Sequence, residues 1–156
     1  MKRNWKALAV CILIPLLVGG LSGWLTRGSM GAFEALAKPP LAPPGWLFPV
    51  VWTILFLLMG VASYLVLTSG GSEEAIASAL SVYALQLGVN FFWSILFFTL
   101  SLCTLAFFWL LLLWVLVGIT TVRFYRLSKT AGYLLIPYVL WVTFAAYLNL
   151  AICILN

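Results

Sequence analysis

Charged residues in this chain are confined to short clusters, with long uncharged stretches between them. Residues Ala7–Thr26, Pro39–Ser72, Ala75–Val122 and Thr130–Asn156 contain no Asp, Glu, Lys or Arg. A membrane-spanning helix needs about 20 residues at about 1.5 Å rise each. The first run therefore supplies one helix. The second supplies a proline-rich loop and one helix. The third is too long for a single span and divides into two, and the last supplies a fifth. The predicted spans are Ala7–Thr26, Trp46–Thr68, Ala75–Phe98, Cys103–Phe124 and Ala131–Ile154. The turn between the third and fourth falls near Thr99-Leu100-Ser101, where there is no glycine, proline or charge. The expected fold is an all-α membrane protein, a five-transmembrane-helix bundle forming one domain over residues 1–156.

Composition agrees with that class. The chain is 65% apolar and 7% charged, against roughly 25% charged in soluble domains. Its mean hydropathy is +1.19. A cleaved signal peptide is the competing reading of Lys2, Arg3 and Lys6 followed by an apolar stretch. That stretch is longer than a usual signal core, holds Pro15 and Gly19-Gly20 mid-span, and is followed by no Ala-x-Ala site.

The basic residues predict orientation. With five spans, the N-terminus and the loops at Ser69–Glu74 and Tyr125–Thr130 share one side. Lys2, Arg3, Lys6, Arg123, Arg126 and Lys129 lie there, and only Arg27 and Lys38 lie opposite. Positive charge favours the cytoplasmic face. The expectation is a multi-pass protein of a bacterial cell membrane, with the N-terminus inside and the C-terminus outside. The bases are split over short loops and form no stripe, so nucleic acid is not an expected partner.

Between the first two spans runs Lys38-Pro39-Pro40-Leu41-Ala42-Pro43-Pro44-Gly45-Trp46. Four prolines stiffen it, Pro44-Gly45 marks a turn, and Trp46 sits where tryptophan anchors at a membrane interface. Pro49 falls in the first turns of the next helix, where proline is tolerated. The segment reads as a rigid lid over the outward mouth of the bundle.

Little inside the spans ionises. The acids are Glu34, Glu73 and Glu74, all outside or at span ends, and there is no histidine. A proton-coupled exporter normally needs a buried ionisable residue, so a small multidrug-type exporter is disfavoured. Histidine-ligated haem or zinc is excluded, and no metal or cofactor is expected. Cys11, Cys103 and Cys153 lack metal-ligand spacing and read as small buried apolar residues.

Aromatic surface remains, with a few neutral polar groups. Eight tryptophans, six tyrosines and eleven phenylalanines make up 16% of the chain. Trp5, Trp24, Tyr125 and Tyr133 lie near span ends and suit interface belts. Gln86 and Asn90 are four apart and share one face of the third helix, which Trp93 and Phe97 continue. Trp141, Ala145 and Asn149 repeat that spacing on the last helix, beside Tyr138 and Phe144. Trp52 lies two turns into the second helix. Polar amides in hydrocarbon need partners. One reading is interhelical hydrogen bonding. The other is an aromatic-walled cavity under the lid, whose amides orient a flat apolar ligand.

These residues carry a resemblance to the translocator protein family, also called TspO, tryptophan-rich sensory protein or peripheral benzodiazepine receptor. Three blocks resemble it: Phe33-Glu34-Ala35-Leu36-Ala37-Lys38-Pro39 running into Pro43-Pro44-Gly45-Trp46-Leu47-Phe48-Pro49 and Trp52; Gln86-Leu87-Gly88-Val89-Asn90-Phe91-Phe92-Trp93-Ser94 with Phe97-Phe98; and Pro137-Tyr138-Val139-Leu140-Trp141 through Ala145, Leu148 and Asn149. Together they cover nearly the whole chain. The resemblance implies a five-helix bundle, often dimeric, that binds porphyrins such as protoporphyrin IX and isoquinoline-carboxamide drugs beneath the first loop. By motif position it implies a pocket of Phe33, Trp52, Gln86, Asn90, Trp141 and Ala145, with Trp52 and Gln86 as donors to a ligand carbonyl or carboxylate. The expected function is tetrapyrrole sensing, sequestration or transport. The alternative is light-dependent porphyrin breakdown, in which Trp52 and Trp141 would be the catalytic residues.

Some positions depart from the family pattern. Ala32-Phe33 stands where Trp-Tyr is common, so a lid phenol is lost, and Leu41 replaces a frequent aromatic. The last helix ends without Lys or Arg after Tyr147, so the sterol pattern of animal members is not supported there. Val122-Tyr125-Lys129 fits that loose pattern elsewhere, as basic and aromatic residues at a helix end commonly do. Gly19 and Gly23 on the first helix, and Ala77, Ser81, Ala84 and Gly88 on the third, allow close helix approach, within a bundle or between copies. The resemblance implies pairing through the third helix. The expected partners are a porphyrin or other flat hydrophobic ligand, the lipid bilayer and a second copy of the chain.

Overall fold

A computed structural model describes residues 4–29, 31, 35–100 and 102–156. Ala32, Phe33 and Glu34 of the first motif block lie outside the described residues, as do Lys2, Arg3 and Ser101. Five helices follow in order: α1 (Trp5–Thr26), α2 (Leu47–Leu67), α3 (Glu73–Ser94), α4 (Cys103–Leu127) and α5 (Lys129–Leu155). Each is long and apolar enough to cross a membrane. No strand occurs among the described residues. The chain is an all-α, five-helix membrane bundle.

Three helices begin about two residues before the predicted spans. Asn4, Ser72 and Ser128 are the reason. Their side chains accept hydrogen bonds from the amides of Ala7, Ala75 and Ala131 at 3.1, 3.1 and 3.3 Å, and so cap α1, α3 and α5. Glu73 and Glu74 occupy the first turn of α3, where the helix dipole favours negative charge. Counting charge-free residues cuts off these polar first turns.

The turn after α3 needs no glycine or proline because the helix widens instead of breaking. Ile95–Thr99 form a π-helical turn. The Leu100 amide then donates to the Ile95 carbonyl and the Leu102 amide to the Leu96 carbonyl, both at 2.9 Å. These bonds satisfy helix-end carbonyls that hydrocarbon would otherwise strand. The Phe97 and Phe98 rings are left edge to face at 4.9 Å, and both also meet Trp93.

The helices form a ring. α1 packs on α2, α2 on α5, α5 on α4, α4 on α3, and α3 returns to α1. α3 and α5 run in the same direction and reach each other through side chains across the interior. α1 is the least enclosed: only Pro15, Ser22 and Thr26 of it are buried. Its closest approach to α2 is at Gly60, where a Cβ would lie 2.6 Å from Ile12 Cα and 2.8 Å from the Cys11 carbonyl oxygen. Gly19 is occupied within the bundle too, since a Cβ there would strike the Phe56 ring. By contrast Ala77, Ser81, Ala84 and Gly88 form an exposed stripe on α3.

The reading of all three cysteines as isolated apolar residues is corrected. Cys103 and Cys153 form a disulfide, and only Cys11 is free. Fifty residues separate the pair in sequence. The antiparallel packing of α4 on α5 brings the first residue of one beside the last turn of the other.

The loop between α1 and α2 lies across the end of α5. Tyr147 donates its hydroxyl hydrogen to the Pro40 carbonyl at 2.9 Å. Asn156 accepts from the Ala37 amide at 3.1 Å and donates to the Ala37 carbonyl at 2.9 Å. Pro39 is buried, and Trp46 is exposed at the start of α2.

Candidate ligand site

An aromatic cluster fills the interior between α2, α3 and α5, with Trp52 at its centre. The Trp52 ring stacks on Phe56 at 5.7 Å and meets Tyr138 at 6.1 Å, Trp93 at 6.3 Å and Trp141 at 6.3 Å. Phe48 touches both Trp141 and Phe98. Three helices thus contribute to one continuous aromatic wall. Its edge-to-face and offset contacts are those that ring quadrupoles favour.

The buried amides are held by a phenol. Tyr138 donates its hydroxyl hydrogen to Gln86 Oε1 at 2.6 Å and accepts from Asn90 Nδ2 at 2.7 Å. Gln86 Nε2 faces the Met59 sulfur at 3.9 Å. Gln86 and Asn90 are 1% and 3% exposed. Interhelical bonding therefore describes Gln86, whose polar ends are both engaged. Tyr138 was legible only as an aromatic neighbour in the motif; its role depends on α5 lying opposite α3. A second relay lies nearer the π turn, where Trp93 Nε1 donates to Asn149 Oδ1 at 3.1 Å. Replacing Tyr138 by phenylalanine is expected to cost about 1–2 kcal/mol, above the ~0.6 average for one membrane interhelical bond, because two buried amides lose a partner. Thermal unfolding in detergent tests this, and an unchanged midpoint would show that the amides find other partners.

A cavity of about 600 Å³ opens beside the cluster, between α1, α2 and α3. Trp52, Phe48, Phe56 and Phe98 give it aromatic faces, and Asn90, Ser94, Ser22 and Thr26 give it polar points. Gly20 and Gly23 of α1 leave room on the opposite wall, and Gly19 lets the Phe56 ring pack closely there. Arg27 stands at the rim, its guanidinium 4.2 Å over the Trp24 ring. Of the residues expected from the motifs, Trp52 and Asn90 line this cavity. Gln86 and Ala145 are buried behind it. Trp141 borders a separate shallow apolar cleft between α2 and α5, while its ring completes the cluster. Phe33 is outside the described residues. Phe48, Phe56 and Phe98 are cavity residues that the motif positions did not single out as ligand contacts.

One fully buried donor in the cluster is unpaired. The indole N–H of Trp141 is buried and has no hydrogen-bond partner among the described residues. A buried donor without an acceptor costs about 1–3 kcal/mol. It lies among rings that offer no strong acceptor, outside the wall of the 600 Å³ cavity. The site can therefore stack a flat ring system and offer it a few neutral polar contacts. The described residues bring together no group of His, Cys, Asp or Glu able to hold a metal.

Fold and site together define a multi-pass helical membrane protein with a tryptophan-rich interior. The TspO/MBR family model matches residues 11–155, and the chain belongs to that family. It is 39% identical over 157 residues to the tryptophan-rich protein TspO of Chlorobaculum tepidum, covering 100% of this chain and 99% of that one. It is 36% identical over 124 residues to a tryptophan-rich sensory protein of Cereibacter sphaeroides, covering 80% and 76% of the two chains. It is also 35% identical over 152 residues to the translocator protein of Bos taurus, covering 96% and 89%.

Proposed function

We propose that this protein binds porphyrins of the protoporphyrin IX type, and flat apolar drugs such as isoquinoline carboxamides, in tetrapyrrole sensing, sequestration or transport. The observation that carries the proposal is a cavity of about 600 Å³ whose faces are the aromatic rings of Trp52, Phe48, Phe56 and Phe98, with the Asn90 amide on its wall. That volume lies within the ~300–1,000 Å³ typical of small-molecule sites. A tetrapyrrole ring stacks on Trp52 and Phe48, Asn90 orients a polar edge, and Trp141 supports the Trp52 ring from behind. The binding set is Phe33, Trp52, Gln86, Asn90, Trp141 and Ala145. Gln86 acts there through Tyr138. Arg27 at the rim attracts a propionate.

The Pro39–Trp46 segment serves as the lid. Its tie to Tyr147 through the Pro40 carbonyl supports this, as does the presence of Gly45 and Trp46 on the cavity wall. The lid faces outward from a bacterial cell membrane with the N-terminus cytoplasmic, following the positive-inside distribution. Two copies pair through the exposed Ala77, Ser81, Ala84 and Gly88 stripe of α3, whose small side chains permit close approach.

A second reading is favoured by the contact of Trp52 with both Trp93 and Trp141 at 6.3 Å. Such a cluster can supply an electron to a photoexcited pigment, making Trp52 and Trp141 catalytic in light-dependent porphyrin breakdown. One experiment separates the readings: quenching of tryptophan emission by protoporphyrin IX, in the dark and under light, for wild type and Trp141→Phe. Binding predicts saturable quenching in the dark. Loss of the Trp141 indole behind Trp52 is expected to weaken affinity about threefold to tenfold, the scale of one lost aromatic contact. A new pigment product made in light by wild type and not by the variant supports breakdown. No saturable quenching by wild type would remove the porphyrin assignment.

A further inference from the structure

The disulfide is connected to the tryptophan cluster by one side chain. Asn149 is 1% exposed and has its amide between the two. Its Nδ2 lies 3.5 Å from the Cys103 sulfur and 3.4 Å from the Cys153 sulfur, and donates to the Cys103 carbonyl at 3.1 Å. Its Oδ1 accepts from the Trp93 indole at 3.1 Å. Trp93 in turn stacks on Phe97 and meets Trp52. The disulfide is also reachable. A cleft of about 520 Å³ lies over it, lined by Leu36, Phe97, Thr104 and Asn156 together with both cysteines. Both cysteines are only partly buried.

We propose that Cys103 and Cys153 form a thiol–disulfide exchange site whose oxidation state sets the position of Trp93 through Asn149. The reactant is a dithiol approaching through the cleft. Its thiolate attacks one sulfur, the Cys103–Cys153 bond breaks, and the other sulfur leaves as a thiolate. The second thiol of the reagent resolves the mixed disulfide. Two electrons and two protons end on Cys103 and Cys153, and the reagent departs as a disulfide. The Asn149 N–H beside both sulfurs stabilises the charge on whichever leaves, as a hydrogen bond to an anion does. Exchange needs an accessible sulfur and a good leaving group, and the cleft and the amide provide these.

Reduction has a structural consequence because Asn149 serves two partners. With the bond broken, the start of α4 and the end of α5 are no longer tied. The two sulfurs separate, and the amide loses the fixed surface between them. Its reorientation moves the acceptor of the Trp93 N–H, and with it the ring beside Trp52. The oxidised form therefore holds the cluster in one arrangement and the reduced form loosens it. The effect on affinity rests on the ligand reading above, whereas the chemistry at sulfur and the response of Trp93 do not.

The test uses the full chain in detergent micelles, equilibrated in buffers of oxidised and reduced dithiothreitol. Maleimide labelling of the folded protein, read by mass, should show two more adducts in the reduced form. Tryptophan emission should change with the same midpoint and return on reoxidation. Protoporphyrin IX affinity should fall about threefold to tenfold on reduction, as for one lost hydrogen bond. The double variant Cys103→Ser, Cys153→Ser should show the reduced-state emission with no response to reductant. Asn149→Leu should still be reduced, without the emission change. A disulfide that resists dithiothreitol until the protein unfolds overturns the proposal. Two extra adducts with unaltered emission in wild type also overturn it. Absence of porphyrin binding in both states removes the ligand reading alone, and the thiol and emission results still decide the exchange site.

Discussion

Substitution of Gly60 by leucine is expected to separate α1 from the bundle. A Cβ alone would sit 2.6 Å from Ile12 Cα and 2.8 Å from the Cys11 carbonyl oxygen. Both are backbone atoms of a helix, so no rotamer change relieves the contact, and α1 itself must move. Overpacking of this kind costs about 1–3 kcal/mol where side chains can yield, and more where they cannot. Alanine should already fall in that range, and leucine beyond it. The consequence reaches the candidate site, because α1 supplies Leu16, Gly19, Gly20, Ser22, Gly23 and Thr26 to the cavity wall. The expected result is a lowered thermal midpoint in detergent together with loss of dark porphyrin quenching. Gly118 is the control. A Cβ there meets nothing within 4 Å, so Gly118→Ala should be neutral or stabilise α4 by up to about 1 kcal/mol through helix propensity. Equal effects at both glycines would mean that helix propensity, and not the α1–α2 contact, sets the outcome.

Trp52→Ala should have the second large effect, and on two properties at once. The ring touches Phe56 on its own helix, Trp93 on α3, and Tyr138 and Trp141 on α5. Its removal leaves a void where three helices meet. Truncating a large buried aromatic costs about 3–5 kcal/mol in soluble cores. Trp52 is only partly buried and faces the cavity on one side, and lipid rather than water lies outside this bundle, so a cost below that range, about 2 kcal/mol, is expected. Porphyrin binding should be lost as well, since Trp52 is the ring shared by the cluster and the cavity. Trp52→Phe separates the two effects. It restores most of the packing and should recover most of the stability and measurable dark binding. If light-dependent breakdown occurs, it should fail in this variant, because phenylalanine is a poor electron donor. Full affinity in Trp52→Ala would place the ligand elsewhere.

The five helices were legible because hydrocarbon imposes a local rule: a span must be long, apolar and free of charge wherever it sits. The predicted spans match the helices apart from polar first turns and the last turn of α4, which runs on past Phe124 through Arg126 to Leu127. The helix starts at Glu73 and Lys129 were missed because the charges that end an apolar run are the ones a helix N-terminus, capped by Ser72 or Ser128, accommodates. Part of the candidate site was legible for a similar reason. Gln86 and Asn90 share a face by spacing alone, and Trp52 and Trp141 stand out through the motifs around them.

Pairings between helices were not legible, since nothing in the spacing within one helix sets its rotation or height against another. The Tyr138 hydroxyl joins Gln86 and Asn90 only because α3 and α5 run in the same direction at matching depth. Cys103 and Cys153 read as two unrelated apolar residues until antiparallel packing of α4 and α5 brings them together. The unpaired Trp141 indole N–H appears only when every neighbour is in place. The sequence by itself determined the membrane class, the number of spans and the faces that carry polar and aromatic residues, because these follow from solvent and helical period. The tertiary structure decided which amides are satisfied, that the Trp141 N–H is left without a partner and where the cavity opens, because each is a property of surfaces brought together from different helices.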